Sequence, residues 1–394
     1  MNNHMNQPNR KPRSILLVAG ETSADRYGAG LVGKLRAFCV GQELHFFGTG
    51  GDEMQKAGVE LLCHIRDLHG IGLKEAFQHL RRYFHTFRRL EAECRKRRPA
   101  AAVLLDFPEF NLRLAKRLKR LGIKVIYYIS PQIWAWRRGR IKIVQRYVDE
   151  MLVILPFEED YYRERGVKVE FVGHPLLEDF ENTSDRESFL RGLGLDPALK
   201  TVALLPGSRG DEVKYILPAF LEASRLILNR VPAQFLISVA PAIDHKQVSE
   251  IAEQILGANL DRPRFRIVSE AARTILQNSD FGFVKCGTST LEAALVGTPF
   301  LITYKVSPLN WLVFNNLVRT RYKGLVNLIA GEEIVPEYLQ GAASPEVLAH
   351  TALEYMEKPH KAAEMKARLA EIRNKLGSRC ASERAAALVA GYLE

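Results

Sequence analysis

Residues 281–304, FGFVKCGTSTLEAALVGTPFLITY, restrict the fold more than any other part of the chain. An apolar run at 281–284 has the length of a buried strand and passes into Cys286, Gly287, Thr288, Ser289 and Thr290. Leu291, Ala293, Ala294 and Leu295 then favour helix, Gly297 stops it, and Pro299 precedes a second apolar run at 300–304. Strand, helix and strand at this spacing make one unit of a parallel sheet. The loop admits two readings. One is an ordinary turn with an N-capping Ser or Thr. The other is an anion site, because a helix N-terminus presents N–H groups and about half a positive charge. Glu292 stands in the first turn, where a carboxylate can accept the two vicinal hydroxyls of a ribose. The second reading therefore points to a nucleotide.

Another strand end agrees with it. Residues 201–209, TVALLPGSR, run as a buried strand into Gly207, Ser208 and Arg209, with Asp211 and Glu212 opening the next element. Arg209 is either a solvated turn residue or a paired donor for a pyrophosphate. Open α/β sheets bind ligands at the carboxyl ends of strands, and one nucleotide diphosphate lying across a parallel sheet suits both loops.

The rest of the chain alternates in the same way. Strands are expected near 14–18, 44–48, 101–105, 124–129, 150–155 and 169–172, and the pattern restarts at 201 with strands near 234–239, 265–268, 281–284 and 300–304. Alternation means parallel sheets covered on both faces, and the restart means two similar α/β domains facing across a cleft. The 394 residues hold two domains of ordinary size. The expected divisions are a polar tail at 1–13, a first domain at 14–174, a second at 175–358 with the boundary at Gly173-His174-Pro175, and charged helices at 359–394. Those helices pack back on the first domain or exchange between two chains of a homodimer.

Composition narrows the class. The tail MNNHMNQPNRKPR lacks the apolar core of a signal peptide, and no apolar run reaches the ~18 residues of a membrane span. Cys39, Cys63, Cys94, Cys286 and Cys380 form neither a CxxC pair nor a set with histidines, which suits a reducing cytoplasm and no structural metal. A net charge of +11 suits anionic partners. One segment concentrates that charge. Leu73, Phe77, Leu80, Phe84 and Phe87 follow helical spacing among Arg81, Arg82, Arg88, Arg89, Arg95, Lys96, Arg97 and Arg98. An interfacial membrane helix has this form; so does a core-packed surface helix with a basic outer side. Nucleic-acid binding is a third reading, though no recognised nucleic-acid module surrounds the arginines.

Two segments carry candidate chemistry. In VLLDFPEFN, Asp106 ends a buried strand just before Pro108, where a carboxylate can act as general base toward a sugar hydroxyl or simply cap the next helix. Glu109 is a rival base. In YYISPQIWAWR, Trp134, Trp136 and Arg137 stand at another strand end, as a platform for sugar or acyl groups or as core.

Taken together, AGETSAD (19–25), LLDFPEFN, YYISPQIWAWR, LPFEEDYY (155–162), GHP, LLPGSRGDEV, CGTSTLEAALVGTP, YKVSP (304–308) and VNLIAGEEIVPEYLQ (326–340) closely resemble the lipid-A-disaccharide synthase family, in order from about residue 14 to 385. The resemblance implies a two-domain GT-B glycosyltransferase that needs no cofactor or metal. It implies a reaction between UDP-2,3-diacylglucosamine and 2,3-diacylglucosamine 1-phosphate, giving the β-1,6-linked lipid A disaccharide precursor and UDP. It places the enzyme at the inner face of the inner membrane of a Gram-negative-type bacterium. Asp106 matches the family's candidate base, and Arg209 and Asn327 match residues needed for activity. Gly207, Ser208, the Gly287–Thr290 loop and Glu292 match the UDP-holding part. Glu21, Thr22 and Ser23 match an amino-terminal loop facing the cleft, with Glu109, Trp134 and Arg137 on the acceptor side. The chain departs from the family at Ala24, usually Gly, at Val326, usually Pro, and at Lys285 and Cys286, usually Ser or Ala and Ser. Competing readings are another GT-B enzyme acting on UDP-GlcNAc, such as a peptidoglycan-lipid transferase or a 2-epimerase, a non-catalytic nucleotide-sugar binder, and a basic RNA-binding protein.

Overall fold

The continuous apolar runs become strands buried on both faces. The computed structural model describes residues 12–68, 73–178, 185–257, 264–308, 310–312, 318 and 320–393, and over 73–80 its backbone alone. The chain divides into two units, Met1–Glu178 with Leu376–Glu394, and Asp179–Lys375.

The first unit holds seven strands: β1 Arg13–Ala19, β2 Leu44–Gly50, β3 Val59–His64, β4 Ala101–Leu105, β5 Lys124–Tyr128, β6 Glu150–Val153 and β7 Val169–Phe171. They lie in the order β3-β2-β1-β4-β5-β6-β7, and every pairing is parallel. Leu16 of β1 aligns with Phe47 of β2 on one side and Ala102 of β4 on the other. Leu16, Val18, Phe47, Leu104, Phe110 and Tyr127 are all fully buried in one core. Each such aliphatic or aromatic side chain contributes about 1.5–3 kcal/mol on leaving water.

The second unit repeats the plan with six strands: β8 Lys200–Leu205, β9 Ala233–Ser238, β10 Phe265–Val268, β11 Phe281–Lys285, β12 Phe300–Tyr304 and β13 Glu337–Leu339. Their order is β10-β9-β8-β11-β12-β13, again all parallel. Val202, Leu204, Phe220, Phe235, Phe281 and Phe283 form its core. Both orders follow the doubly wound Rossmann plan. The short strands β3 and β13 were not among the expected ones.

The boundaries differ from those read in the sequence. Residues 1–11 of the expected tail lie outside the described residues, and Arg13 already belongs to β1. Of the charged helices, Pro359–Lys375 packs on the second unit, against the helices Ser289–Val296 and Leu325–Ala330. Only the last helix, Ala381–Ala390, returns to the first unit of the same chain, along the helix Thr22–Phe38. There Glu383 pairs with Lys34 at 3.7 Å. The outgoing and returning strands of chain meet where the His174 N–H donates to the Leu376 carbonyl (2.9 Å) and the Ser382 N–H to Glu178 (2.5 Å).

The basic segment becomes one helix, Leu73–Arg97. Tyr83 and Phe87 pack on the first core, which includes fully buried Leu90 and Cys94. Phe87 meets Phe110 edge-on at 5.6 Å. Phe87 therefore belongs to the core and not to an outward stripe. Phe84 is 48% exposed, and the side chains of Leu73, Phe77 and Leu80 lie outside the described residues.

Asp25 fixes the start of this unit. Its buried carboxylate accepts the N–H groups of Gly51 (2.6 Å), Glu53 (3.1 Å) and Met54 (3.1 Å), tying the helix after β1 to the turn after β2. Asp25→Ala leaves those donors without an acceptor, a loss of about 1–3 kcal/mol. Urea denaturation should show the fall in midpoint, with a smaller one for Asp25→Asn; a midpoint equal to that of the parent would show that this cap holds nothing.

Candidate active site

In each sheet the strand order reverses beside its first strand, between β1 and β4 and between β8 and β11. The loops leaving these strands flank the switch-point crevice where open sheets bind ligands.

In the first unit the β1 loop touches the β4 loop. A Cβ on Gly20 would lie 2.3 Å from Cγ of Phe107, so glycine is what lets them approach. Asp106 (φ 45°) and Phe107 (φ 48°) are both left-handed, as are Ile129 (φ 65°) and Arg137 (φ 55°) after β5. Four of the six such non-glycine residues described thus stand at two neighbouring strand ends. Conformations this uncommon persist only where surrounding bonds impose them. Here the buried Asn111 amide donates to the carbonyls of Asp106 (2.8 Å) and Leu105 (3.2 Å), and the Tyr127 hydroxyl donates to Asp106 as well (2.5 Å).

The two candidate bases sit in opposite electrostatic settings. Burial, then the negative charge of Glu21, pushes the Asp106 carboxyl up to about 7, against a small opposing bond from the Phe107 N–H. Burial also pushes Glu109 upward, but hydrogen bonding to Arg140 and the charges of Arg140, Arg137 and Arg113 outweigh it. The Glu109 carboxyl ends below its ordinary value. Both Arg137 and Arg140 donate to the same Glu109 oxygen. Glu109 is thus a committed counter-ion, while Asp106 is poised to exchange a proton near neutral pH.

Around them, Glu21 is the exposed N-cap residue of the helix Thr22–Phe38, and Thr22 and Ser23 are exposed in its first turn. Ala24 is buried within that turn, at an ordinary helical position. Trp134 does not form a platform. It is buried, its ring edge-on to Phe157, and its indole donates to Glu158 (2.9 Å). Glu158 also accepts from Ser130 (2.6 Å) and the Leu155 N–H (3.2 Å), and burial pushes its carboxyl up to about 7. The more open tryptophan is Trp136, with Arg137 over its ring at 4.7 Å.

In the second unit one buried carboxylate organises both strand-end loops. Glu212 accepts the Ser208 N–H (3.1 Å) and pairs with Lys285 at 2.8 Å and Arg209 at 3.8 Å. Gly207 (φ 126°) lies so close that a Cβ there would be 2.5 Å from the Glu212 carboxylate. Lys285, at the end of β11, is therefore engaged below the loop rather than presented to solvent. Arg209 caps the helix Gly210–Leu228 with its side chain 70% exposed. Thr288 is exposed, and Ser289 and Glu292 are partly so, at the start of the helix Ser289–Val296. The Thr290 hydroxyl instead turns inward and donates to the Gly287 carbonyl (2.7 Å). The partly buried Cys286 thiol donates to the Lys323 carbonyl (3.1 Å), and desolvation pushes its pKa up to about 12.

Asn327 also differs from its expected role at the reaction. It is fully buried, and its amide donates to the Val335 carbonyl (2.7 Å) and Glu337 (2.8 Å) while accepting the N–H groups of Ile334 (2.9 Å) and Val335 (3.0 Å). All four of its bonding positions are taken. Asn327 is a positioning residue that secures 334–337. Its neighbour Val326 is buried in the same short helix.

Residues 15–390 match the family model described as lipid-A-disaccharide synthetase. The chain belongs to that family. It is 42% identical over 375 residues to the lipid-A-disaccharide synthase of Syntrophus aciditrophicus, covering 95% of this chain and 96% of the relative. Among solved structures it superposes on a putative UDP-N-acetylglucosamine 2-epimerase from Listeria monocytogenes with a TM-score of 0.67 at 12% identity, covering 97% of this chain and 96% of that one. It superposes on the glycotransferase of kitacinnamycin with a TM-score of 0.63 at 14% identity, covering 97% and 99%. These two likenesses concern fold alone, the GT-B pairing of two Rossmann-like units. Membership of the family makes the chain a glycosyltransferase.

Within this family member the Glu212–Lys285 pair is a stability determinant. Glu212→Ala strands a mostly buried ammonium and the Ser208 N–H, at a cost of about 2–3 kcal/mol. Chemical denaturation should register that loss, with Glu212→Gln intermediate because it keeps an acceptor for Ser208. Equal stability of all three proteins would mean that the pair is solvated in solution.

Proposed function

We infer that this glycosyltransferase forms the lipid A disaccharide, and we propose that it joins UDP-2,3-diacylglucosamine to 2,3-diacylglucosamine 1-phosphate with inversion at the anomeric carbon. The observation that carries the reading is the Asp106 carboxyl, held at a strand end of the switch point with a raised proton affinity. The acceptor 6-hydroxyl attacks the donor's anomeric carbon and passes its proton to Asp106. The bond from that carbon to the diphosphate breaks, and UDP leaves with the electron pair. Arg209, the Ser208 hydroxyl and the N–H groups at Gly207 and at Gly287–Ser289 stabilise the departing charge. Glu292 accepts from the ribose. Glu109, held ionised by its arginines, is not the base.

The pH dependence follows from the direction of the Asp106 shift. Only the ionised carboxyl accepts a proton, so kcat/KM should fall tenfold per pH unit below about 7 and level off above it. Glu21→Gln removes a negative neighbour and should move that limb to lower pH. Asp106→Asn should cost about 10²–10⁴-fold in disaccharide formation with UDP binding retained; activity within threefold of the parent would remove Asp106 from the mechanism. Stability runs the other way. A carboxyl whose pKa is higher folded than unfolded loses stability as pH rises through the window from about 4 to 7. Asp106→Asn should therefore melt a few degrees higher than the parent at pH 8 and equal it near pH 4.

Both substrates are acylated, which supports contact with an anionic membrane surface through the amino-terminal half of the helix Leu73–Arg97. Among the described residues no helix is long and apolar enough to cross a membrane. Phe84, exposed with Arg81, Arg82 and Arg88 around it, is the described aromatic placed for an interface. Phe84→Ser should weaken cosedimentation with anionic vesicles while leaving stability near that of the parent; undiminished binding would place the contact elsewhere. Phe87 is unsuited to the test because its loss opens the core.

A further inference from the structure

The acceptor proposed above carries a phosphate monoester, and none of the groups assigned so far meets it. The cluster beside Asp106 has the right charge and geometry. Glu109 lies in the first turn of the helix Pro108–Arg120, three residues from Asp106. Arg137 and Arg140 converge on one oxygen of its carboxylate, and the charge of Arg113, one turn further along, bears on it too. Three guanidiniums against one carboxylate leave two positive charges. A phosphate monoester carries about −1.5 to −2 and three acceptor oxygens. A guanidinium has five N–H donors in a planar fork, and Arg137 and Arg140 each spend one on Glu109. The Glu109 side chain is 45% exposed and that of Arg137 48%, so their pairing is solvent-screened and of small net worth, while Arg140, 15% exposed, holds the inner side of the cluster. Trp136 braces both forks, with Arg137 over its ring at 4.7 Å and Arg140 at 5.8 Å. Arg137 itself has a left-handed backbone (φ 55°).

We propose that Arg137 and Arg140, with Arg113 behind them, bind the phosphate monoester of the acceptor, and that Glu109 is the counter-ion which this phosphate displaces. The assignment rests on the acceptor proposed above. It gives the first unit two tasks at adjacent strand ends: Asp106 takes the proton from one end of the sugar, and the arginines anchor the other.

The test compares 2,3-diacylglucosamine 1-phosphate with unphosphorylated 2,3-diacylglucosamine, in uncharged detergent micelles so that no lipid headgroup competes. The parent should prefer the phosphorylated acceptor by about 100-fold in kcat/KM, the worth of two charge-assisted contacts. Arg137→Ala/Arg140→Ala should lose about that factor on the phosphorylated acceptor, lose nothing further on the other, and keep the parent's KM for the UDP-sugar. Arg140→Lys, which keeps the charge without the fork, should fall between and guards against a folding defect. Glu109→Gln, which removes the competing counter-ion, should lower the acceptor KM. A double variant that still prefers the phosphorylated acceptor as the parent does, or a parent indifferent to the phosphate, overturns the proposal. Calorimetric binding of the phosphorylated acceptor separates it from the reaction itself. If the parent binds UDP but forms no disaccharide, loss of acceptor binding in the double variant still establishes the subsite, and equal binding rejects it.

Discussion

A parallel strand buried on both faces can use its interior only for packing, and this requirement governs the molecule. Side chains of β1, β4, β8 and β11 are consumed by the cores except at the strand termini Arg13, Ser14, Lys200 and Lys285. Polar chemistry is therefore confined to the residues where strand pairing ends, and the doubly wound order opens a crevice at two of those ends in each unit. Glu21, Asp106, Arg209 and Thr288 are far apart in sequence, yet all stand just beyond the carboxyl end of a strand, and Arg137 lies in the longer loop after β5. The same rule places the glycines. Gly20 is needed where two such loops press together, and Gly207 where a loop folds over a buried carboxylate.

Four carboxylates show how surroundings, not residue type, set the role. Asp106 is enclosed and near another negative group; its backbone carbonyl is held by Asn111 and Tyr127, while its carboxyl receives only a weaker opposing bond from the Phe107 N–H. Its proton affinity rises and the group stays available. Glu109 faces three arginines and is held ionised. Glu158 is fully buried but receives bonds from Ser130, Trp134 and Leu155, so it serves as a rivet that secures the β5 loop on the helix Pro156–Arg163. Glu212 does the same for the β8 and β11 loops, with Lys285 as its counter-charge. An isolated buried charge is expensive; each of these is either partnered or placed to change its protonation.

The strand ends were legible in the sequence because a fully buried parallel strand is a plain apolar run. Strands β3 and β13 were not, since VELLCH carries Glu60 and His64 on a sheet edge and EYL is three residues behind a proline. Asp106 could be read because it closes such a run just before Pro108. Glu158 and Glu212 could not. Each lies within an acidic run that looks solvated, and only tertiary position distinguishes Glu158 from Glu159. Likewise Trp134 and Trp136 are equivalent in the sequence until Glu158 draws one of them inward. Phe87 departs from the expected stripe for a geometric reason. Phe84 and Phe87 lie about 60° apart around a helix, so they straddle the border between solvent and core; the buried face is Tyr83, Phe87, Leu90 and Cys94.

The left-handed residues explain why the rivets matter. Each non-glycine residue in that region costs on the order of 1 kcal/mol, and Asp106, Phe107, Ile129 and Arg137 together hold several at neighbouring loops. Such strain relaxes unless something rigid opposes it. The opposing groups are the fully buried Asn111 and Tyr127, which grip the Asp106 carbonyl from a helix and a strand, and Glu158, which grips Ser130 and Trp134. All three rest on the first core. The direction in which Asp106 presents its carboxyl is thus set by packing deep in the sheet. Loss of a buried anchor such as Asn111 would let the loop relax and turn the carboxyl away without touching it.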